Sequence, residues 1–203
     1  MRLQLLRPED YLRTPWKNGL GFTDQIAIHP QGSDLRRGDF LWRISSARIE
    51  KNSPFSPFPK HDRFLVVLEG AGLRLSHAYE DDAEPEVMEL PPLEPYEFPG
   101  DIPTRCELID GPVRDLSVFL AKGRVSVLTD RMTIPPNENR EFWPEGTVNF
   151  AFVARGRITL KHQAANEGET LRIDLSPGEP QPNLPLEAGD SGAEVILIQI
   201  ATS

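Results

Sequence analysis

Four polar residues of a type that binds anions lie among aromatic residues in the first third of the chain. Lys17 and Asn18 follow Trp16, and Arg43 and Arg63 lie in two later aromatic segments. Ammonium and guanidinium groups bind carboxylates through charge-assisted hydrogen bonds, and aromatic walls shield such bonds from water. The residue types therefore predict a pocket for a small, anionic molecule rather than an exposed surface.

Each of these residues also has a purely structural interpretation. Taken alone, the Lys17-Asn18 segment is more typical of a surface turn whose lysine stem lies along the protein. Arg43 and Ser45 alternate with Trp42 and so share one face of a predicted strand. That face could line a cavity or face solvent, and the pattern favours neither.

Signatures of catalysis and of metal binding are missing from the sequence. The four histidines, the single cysteine and the carboxylates do not follow a metal-ligand spacing, so we expect neither a metal nor another cofactor. Cys106 has no evident base partner and is predicted to be a buried, small apolar residue. No nucleophile elbow or phosphate-binding loop occurs either. We therefore expect no catalytic residue.

Two other classes of function remain open from the residues. A metal-independent isomerase or hydrolase could use His61 or Asp62 as its acid or base, provided that either side chain reaches the cavity of Arg43. A structural or interaction protein would instead expose a strand edge or an apolar patch and enclose no cavity.

Composition narrows the class of protein. The chain has 203 residues and a net charge of -9, which argues against nucleic acid as a partner. No apolar stretch approaches the roughly 20 residues of a membrane-spanning helix, and the apolar run at the start is too short for a secretion signal. A lone cysteine fits a reducing compartment. We expect a soluble, cytoplasmic protein that does not bind membranes.

Secondary structure is predicted to be almost entirely β. The 20 prolines and 15 glycines recur at short intervals, which leaves little room for long helices. Short apolar runs lie between them, and residues 64–68 and 73–75 read as two strands joined by a glycine turn. Many short strands of this kind predict a sandwich or barrel, with a helical turn only at residues 8–13.

A weak internal repeat suggests two related halves. Residues 67–75 resemble residues 152–160 with a slip of one position, as two copies of one barrel would. Any β-hairpin shows part of this pattern, so the repeat alone does not decide the matter. We predict an N-terminal half at 1–128 and a smaller C-terminal half at 129–203.

Several motifs together resemble the HutD/Ves family. The motifs are PWKNG at 15–19, WRISSA at 42–47, PFSPFP at 54–59, DR at 62–63, FPGD at 98–101 and GPVRDL at 111–116. They occur in family-like order and spacing from about residue 7 to about residue 122, and the rest of the chain matches loosely.

The resemblance implies a cupin-like, double-barrel (bicupin) fold and a role in bacterial histidine utilisation. It implies binding of a small carboxylate such as formylglutamate or urocanate, and modulation of the pathway, with no firmly attached catalytic activity. A homodimer formed through strand edges is compatible with such barrels. The predicted ligand-binding residues are Lys17, Asn18, Thr23, Arg43, Ser45, Phe58, His61 and Arg63, with Asp115 as a structural partner.

Three departures from the family pattern leave the ligand open. Leu20 replaces a glycine of the lysine loop, and Ser117 stands where relatives often carry asparagine. Lys60 and His61 replace the usual small residue before the Asp-Arg pair. These changes concern the pocket and leave the expected fold untouched.

Overall fold

Strands dominate the protein, as the proline and glycine spacing predicts. The computed structural model describes residues 1–16, 21–35, 37–79, 84–176, 178 and 180–202. Over this part of the chain a single 3-10 turn, Pro8–Asp10, accompanies the strands, within the predicted helical turn. No helix among the described residues is both long and apolar enough to cross a membrane. The all-β fold expected from the sequence is confirmed.

The strands are numbered in chain order. Those of the first half are β1 (Arg2–Leu6), β2 (Leu12–Pro15), β3 (Phe22–His29), β4 (Trp42–Ile49), β5 (Ser53–Pro54), β6 (His61–Glu69), β7 (Leu73–His77), β8 (Glu86–Leu90), β9 (Tyr96–Pro99), β10 (Thr104–Leu108) and β11 (Val113–Ala121). Those of the second half are β12 (Val125–Ile134), β13 (Asn139–Phe142), β14 (Val148–Leu160), β15 (Gln163–Asn166), β16 (Thr170–Asp174) and β17 (Leu184–Thr202).

The chain forms two compact units whose limits differ from the predicted division at 128/129. One unit is Tyr11–Arg124, and the other combines Met1–Asp10 with Val125–Ser203. β12 runs through the predicted boundary because it pairs along its whole length with β17. The first residues join the second unit because β1 pairs antiparallel with β16, and Leu3 and Leu5 pack against that unit's core.

The unit of Tyr11–Arg124 consists of two antiparallel sheets. The first has the order β2-β3-β4-β11-β6-β9, and the second has the order β5-β10-β7-β8. Residues of both sheets share one apolar core, formed by Ile49, Leu65, Val67, Leu73, Leu75, Leu90, Phe98, Cys106 and Val113. Burial of this cluster is the main favourable term for the unit, because apolar surface leaves water on folding.

The other unit is built on one seven-stranded sheet, in which β14 and β17 are longer than the short strands predicted from the sequence. β14 has 13 residues and β17 has 19. Their mutual register shifts between Val153 and Arg155 and again between Gly156 and Ile158. Such bulges bend a strand without ending it. Residues 148–153 and 157–160 are therefore two arms of one strand.

The inward face of the six-stranded sheet is apolar at one end of its strands and polar at the other. On β4, Ile49 belongs to the apolar core, whereas Arg43 and Ser45 lie four to six residues earlier on the same face. β11 runs antiparallel to β4, so its polar residues come level with those of β4. One end of the sandwich is thus a core, and the other end is a cavity.

Candidate functional site

A cavity of about 470 Å³ opens within the unit of Tyr11–Arg124. It collects residues that are far apart in the sequence, because β3, β4, β6 and β11 are neighbours in one sheet. Five of the predicted ligand-binding residues line it, together with the predicted partner Asp115: Thr23, Arg43, Ser45, Phe58 and Arg63. The strand register therefore brings most of the described predicted site into one place.

Two arginines flank one aromatic ring across three strands. Phe119 of β11 pairs with Arg43 of β4 on one side and with Arg63 of β6 on the other. The Cζ atoms of Arg43 and Arg63 lie 5.7 Å and 4.7 Å from the centroid of the Phe119 ring. Both side chains are buried, with exposed fractions of 5% and 6%. Their charges are thus held apart by a ring that attracts both cations.

Arg63 lies in an aromatic cage. Its Cζ atom is 4.4 Å from the ring centroid of Phe55 and 5.1 Å from that of Phe98, in addition to its contact with Phe119. Its Nη2 donates to Oγ of Ser117 at 3.4 Å, and its buried Nε has no hydrogen-bond partner among the described residues. Burial lowers the pKa of Arg63 to about 10, against the raising effect of Asp115. The guanidinium therefore remains a cation at neutral pH with unused hydrogen-bonding capacity.

Arg43 is oriented by a neighbouring strand. Its Nε donates to Oε1 of Gln25 at 3.0 Å, which leaves its terminal nitrogens for other partners. Burial lowers the pKa of Arg43 to about 10, Asp115 acts in the opposite direction, and Arg63 lowers it further. Gln25 itself does not line the cavity, so it positions Arg43 from behind.

Asp115 supplies the one carboxylate among the described residues that line the cavity. Its Oδ1 accepts from the backbone N–H of Ala47 at 2.8 Å, and its Oδ2 accepts from Oγ of Ser117 at 3.2 Å. Burial raises the pKa of Asp115 to about 6, although Arg63, the two hydrogen bonds and Arg43 all lower it. At neutral pH this carboxylate is ionised, and it offsets only one of the two arginine charges.

Thr23 and Trp16 form the rim of the cavity beside β2. Nε1 of Trp16 donates to Oγ1 of Thr23 at 2.9 Å, and its backbone N–H donates to the carbonyl of Gly21 at 2.9 Å. A Cβ atom at Gly21 would lie 3.2 Å from the Trp16 ring and 2.9 Å from the carbonyl oxygen of Arg48. Glycine at this position therefore lets the indole pack closely against the start of β3.

His61 does not line the cavity of Arg43, so its assignment as a ligand-binding residue stays a prediction that this cavity does not support. It is only 2% exposed, its Nδ1 lies 3.1 Å from the carbonyl oxygen of Pro59, and its Nε2 lies 3.1 Å from that of Phe40. Its ring also stacks on Phe40 with centroids 4.2 Å apart. Alternation places His61 and Arg63 on one face of β6, but the imidazole is held by these backbone groups at the start of the strand.

Asp62 lies outside the cavity too, because it occupies the face of β6 opposite to Arg63. Its Oδ1 is 3.6 Å from Nζ of Lys122. Lys17 and Asn18 lie outside the described residues.

Sequence reasoning missed Phe119, which lines the cavity, and Gln25, which orients Arg43, and it named Ser117 only as a departure from the family pattern. Strict alternation along β11 places Asp115, Ser117 and Phe119 on one face, and this signal was available once Asp115 had been assigned. Gln25 carries no comparable signal, because it reaches Arg43 only through the pairing of β3 with β4.

The histidines and acidic residues are dispersed. Among the described residues, no group of three or more His, Cys, Asp or Glu side chains is placed to hold a metal ion. The polar side chains of the described cavity residues instead carry guanidinium, hydroxyl and indole groups and one carboxyl group.

Cys106 lies in the core behind the cavity and should be chemically inert in the folded protein. It is fully buried, and burial raises the pKa of its thiol to about 12. We expect no reaction with Ellman's reagent at pH 8 in the native state, and one equivalent of released thiolate after unfolding in guanidinium chloride. Fast reaction of the native protein would show that this part of the core opens readily.

Comparison with known proteins identifies the relatives of this chain. The HutD family model matches residues 8–189. An uncharacterized 21.2 kDa protein in the hutC 3' region of Pseudomonas putida is 40% identical over 123 residues. That match spans 61% of this chain and 60% of the length of the relative.

Solved structures agree over the full length. A conserved protein of unknown function from Pseudomonas aeruginosa PAO1 is 27% identical with a TM-score of 0.84, and HutD from Pseudomonas fluorescens SBW25 is 26% identical with a TM-score of 0.81. Both matches cover 100% of each chain. A bacterial pirin from Escherichia coli, 11% identical with a TM-score of 0.66 over 99% of each chain, shares the fold alone. The predicted cupin-like fold is thereby confirmed. With a family match over most of its length, the chain belongs to the HutD family, which is associated with histidine utilisation.

Proposed function

We propose that the cavity binds a small carboxylate metabolite, such as formylglutamate or urocanate, and that the protein thereby modulates histidine utilisation. The proposal joins the chemistry of the cavity to the family's association with that pathway. The ligand would lie between β4, β11 and the aromatic loop after β5, where the predicted residues converge.

The observation that carries the proposal is an excess of buried positive charge. Arg43 and Arg63 are both buried, whereas Asp115 is the one carboxylate among the described cavity residues. Neither guanidinium forms a direct ion pair within the described part of the chain. A buried charge without a counter-ion costs several kcal/mol, on the order of the cost of breaking a buried ion pair. A bound anion would recover much of that cost, and this supports carboxylate binding.

Each cavity residue then has a specific role. The terminal nitrogens of Arg43 and Arg63 would donate to the carboxylate. Ser45 and Thr23 offer hydroxyl groups, and Phe58 packs on Phe119 with ring centroids 4.4 Å apart, which closes the apolar side. Two charge-assisted bonds of roughly 1.5–3 kcal/mol each, less the cost of association, are compatible with micromolar affinity.

The dimensions of the cavity also fit a metabolite. Ligand pockets in proteins usually enclose roughly 300–1,000 Å³, and the cavity has about 470 Å³. This is room for a compact acid with a short side chain.

Removing the Arg43 guanidinium is expected to weaken binding by about 10- to 100-fold, because one charge-assisted contact is lost. Calorimetric titration of the wild type and of Arg43→Ala with formylglutamate and with urocanate measures the change. Arg105→Ala is the matched control, because the Arg105 side chain is 67% exposed on β10 and lies outside the cavity.

The titration also tests the choice of ligand. Wild-type protein that binds neither compound would overturn this ligand assignment. Equal affinity of Arg43→Ala and wild type would place the binding site elsewhere.

An enzymatic role based on His61 or Asp62 receives no support from the geometry. Neither side chain lines the cavity of Arg43, so neither is placed to transfer a proton to a ligand held there. The arrangement of the cavity favours binding.

A further inference from the structure

The carboxyl group of Asp115 competes with any bound anion for the same two cations. The charged or titratable groups that face it are Arg43 on β4, Arg63 on β6 and the thiol of Cys106 on β10. Ala47 and Ser117 contact it through neutral groups. Asp115 is only 3% exposed, so water offers little screening of this competition.

The charges of Arg43, Arg63 and Asp115 distinguish monocarboxylate from dicarboxylate ligands. With Asp115 ionised, the two arginines and the aspartate sum to one positive charge, which a monocarboxylate neutralises. Among the described cavity residues, a dicarboxylate would leave one excess negative charge beside the buried Asp115. Like charges held together in this way raise each other's affinity for protons. A proton on Asp115 restores neutrality.

We propose that Asp115 takes up one proton when a dicarboxylate binds, so that the cavity adjusts its own charge to a dianionic ligand. The inference rests on the proposed carboxylate-binding function. It adds a regulatory property to that function: binding of dianions that strengthens as the pH falls.

Asp115 can take up this proton while its carboxyl group and the hydrogen-bond partners around it stay in place. When Asp115 is ionised, the Ser117 hydroxyl donates to Oδ2, and Ala47 donates to Oδ1. After a proton from solvent has attached to Oδ2, that O–H donates to Oγ of Ser117. The Ser117 hydroxyl hydrogen is then released to donate to the ligand, and the bond from Ala47 is retained. One proton is consumed, and no hydrogen bond is left unmade.

The pH range follows from the free protein. Because burial raises the pKa of Asp115 to about 6, the group is about nine-tenths ionised at pH 7. Uptake should therefore approach about 0.9 proton per dianion at pH 7, and the affinity should rise about tenfold as the pH falls from 8 to 7. Below about pH 6 the free protein already carries the proton, so the affinity should level off.

The test is calorimetric titration of the wild type with formylglutamate in two buffers of different ionisation enthalpy, at pH 6, 7 and 8. Formylglutamine is the matched monocarboxylate, in which an amide replaces one carboxylate. Both ligands keep their carboxylates ionised over this range. We expect proton uptake near one with formylglutamate at pH 7 to 8, and uptake below one half with formylglutamine.

Two variants test whether Asp115 is the group that takes up the proton. Asp115→Asn keeps the geometry of the protonated carboxyl, since its amide can donate to Ser117 and accept from Ala47, and it should bind formylglutamate without proton uptake or pH dependence. Ser117→Ala leaves the Asp115 carboxyl in place but removes its hydroxyl partner, and it should retain the uptake with weaker affinity at every pH.

The outcomes separate the two proposals. Formylglutamate that binds with no proton uptake, or with equal uptake in Asp115→Asn, overturns the charge-adjusting role and leaves carboxylate binding standing. Absence of binding of formylglutamate at every pH overturns the charge-adjusting role, and absence of binding of formylglutamate, formylglutamine and urocanate overturns both proposals.

Discussion

Replacing Arg63 by methionine is expected to weaken carboxylate binding at least about a hundredfold. Methionine keeps much of the apolar stem but removes the guanidinium, its unpartnered Nε and its charge. Losing one member of a buried charge pair costs about 3–5 kcal/mol, and each 1.4 kcal/mol is a factor of ten in affinity. Arg63 should exceed Arg43 in effect, because three aromatic rings cage it and exclude water.

Titration of Arg63→Met and Arg63→Lys against formylglutamate measures this loss. Lysine keeps the charge but lacks the planar fork, so its affinity should lie between that of wild type and methionine. Arg105→Met controls for the substitution at an exposed position. A thermal melt by circular dichroism checks that each variant remains folded. If Arg63→Met binds as tightly as wild type while folded, the cavity is not the binding site.

Gly156→Ala is expected to lower the free energy of unfolding by about 3 kcal/mol or more. Gly156 has a φ of 77°, a conformation that costs a residue with a Cβ atom about 1 kcal/mol or more. A Cβ atom there would also collide with the backbone carbonyl oxygen of Gly192 on β17. Neither strand can move freely, because both bulges lie inside the ladder of β14 and β17.

Urea unfolding of Gly156→Ala and Gly123→Ala separates conformational strain from the collision. Gly123 has a φ of 69°, but a Cβ atom there meets nothing within 4 Å, so its substitution should cost only about 1 kcal/mol. If the two variants have the same stability, the close approach of β14 to β17 does not constrain the fold.

The fold was predictable from the sequence because local signals dominate it. Proline and glycine spacing excludes long helices, and apolar alternation indicates strands. The strand ends were less predictable, since two changes of register near Gly156 keep residues 148–160 in one bent strand, and the sequence does not specify that pairing with β17. The placement of residues 1–10 also depends on a long-range partner, β16, which no local pattern reveals.

The candidate site was predictable only where alternation along a strand determines which side chains lie on its inward face. Arg43 and Ser45 share a face of β4 and line the cavity, as one of the two open interpretations required. His61 shares the face of Arg63 by the same rule, yet two backbone carbonyls hold its ring away from the cavity. Those contacts come from Pro59 and Phe40, and the contact with Phe40 depends on a loop whose path the sequence does not specify.

The deciding measurement is a crystal structure of the protein with formylglutamate bound. The account predicts a ligand carboxylate within hydrogen-bonding distance of the guanidinium groups of both Arg43 and Arg63, with Phe58 and Phe119 against its apolar part. A ligand that lies outside this cavity, or that occupies it without contacting either arginine, would contradict the account.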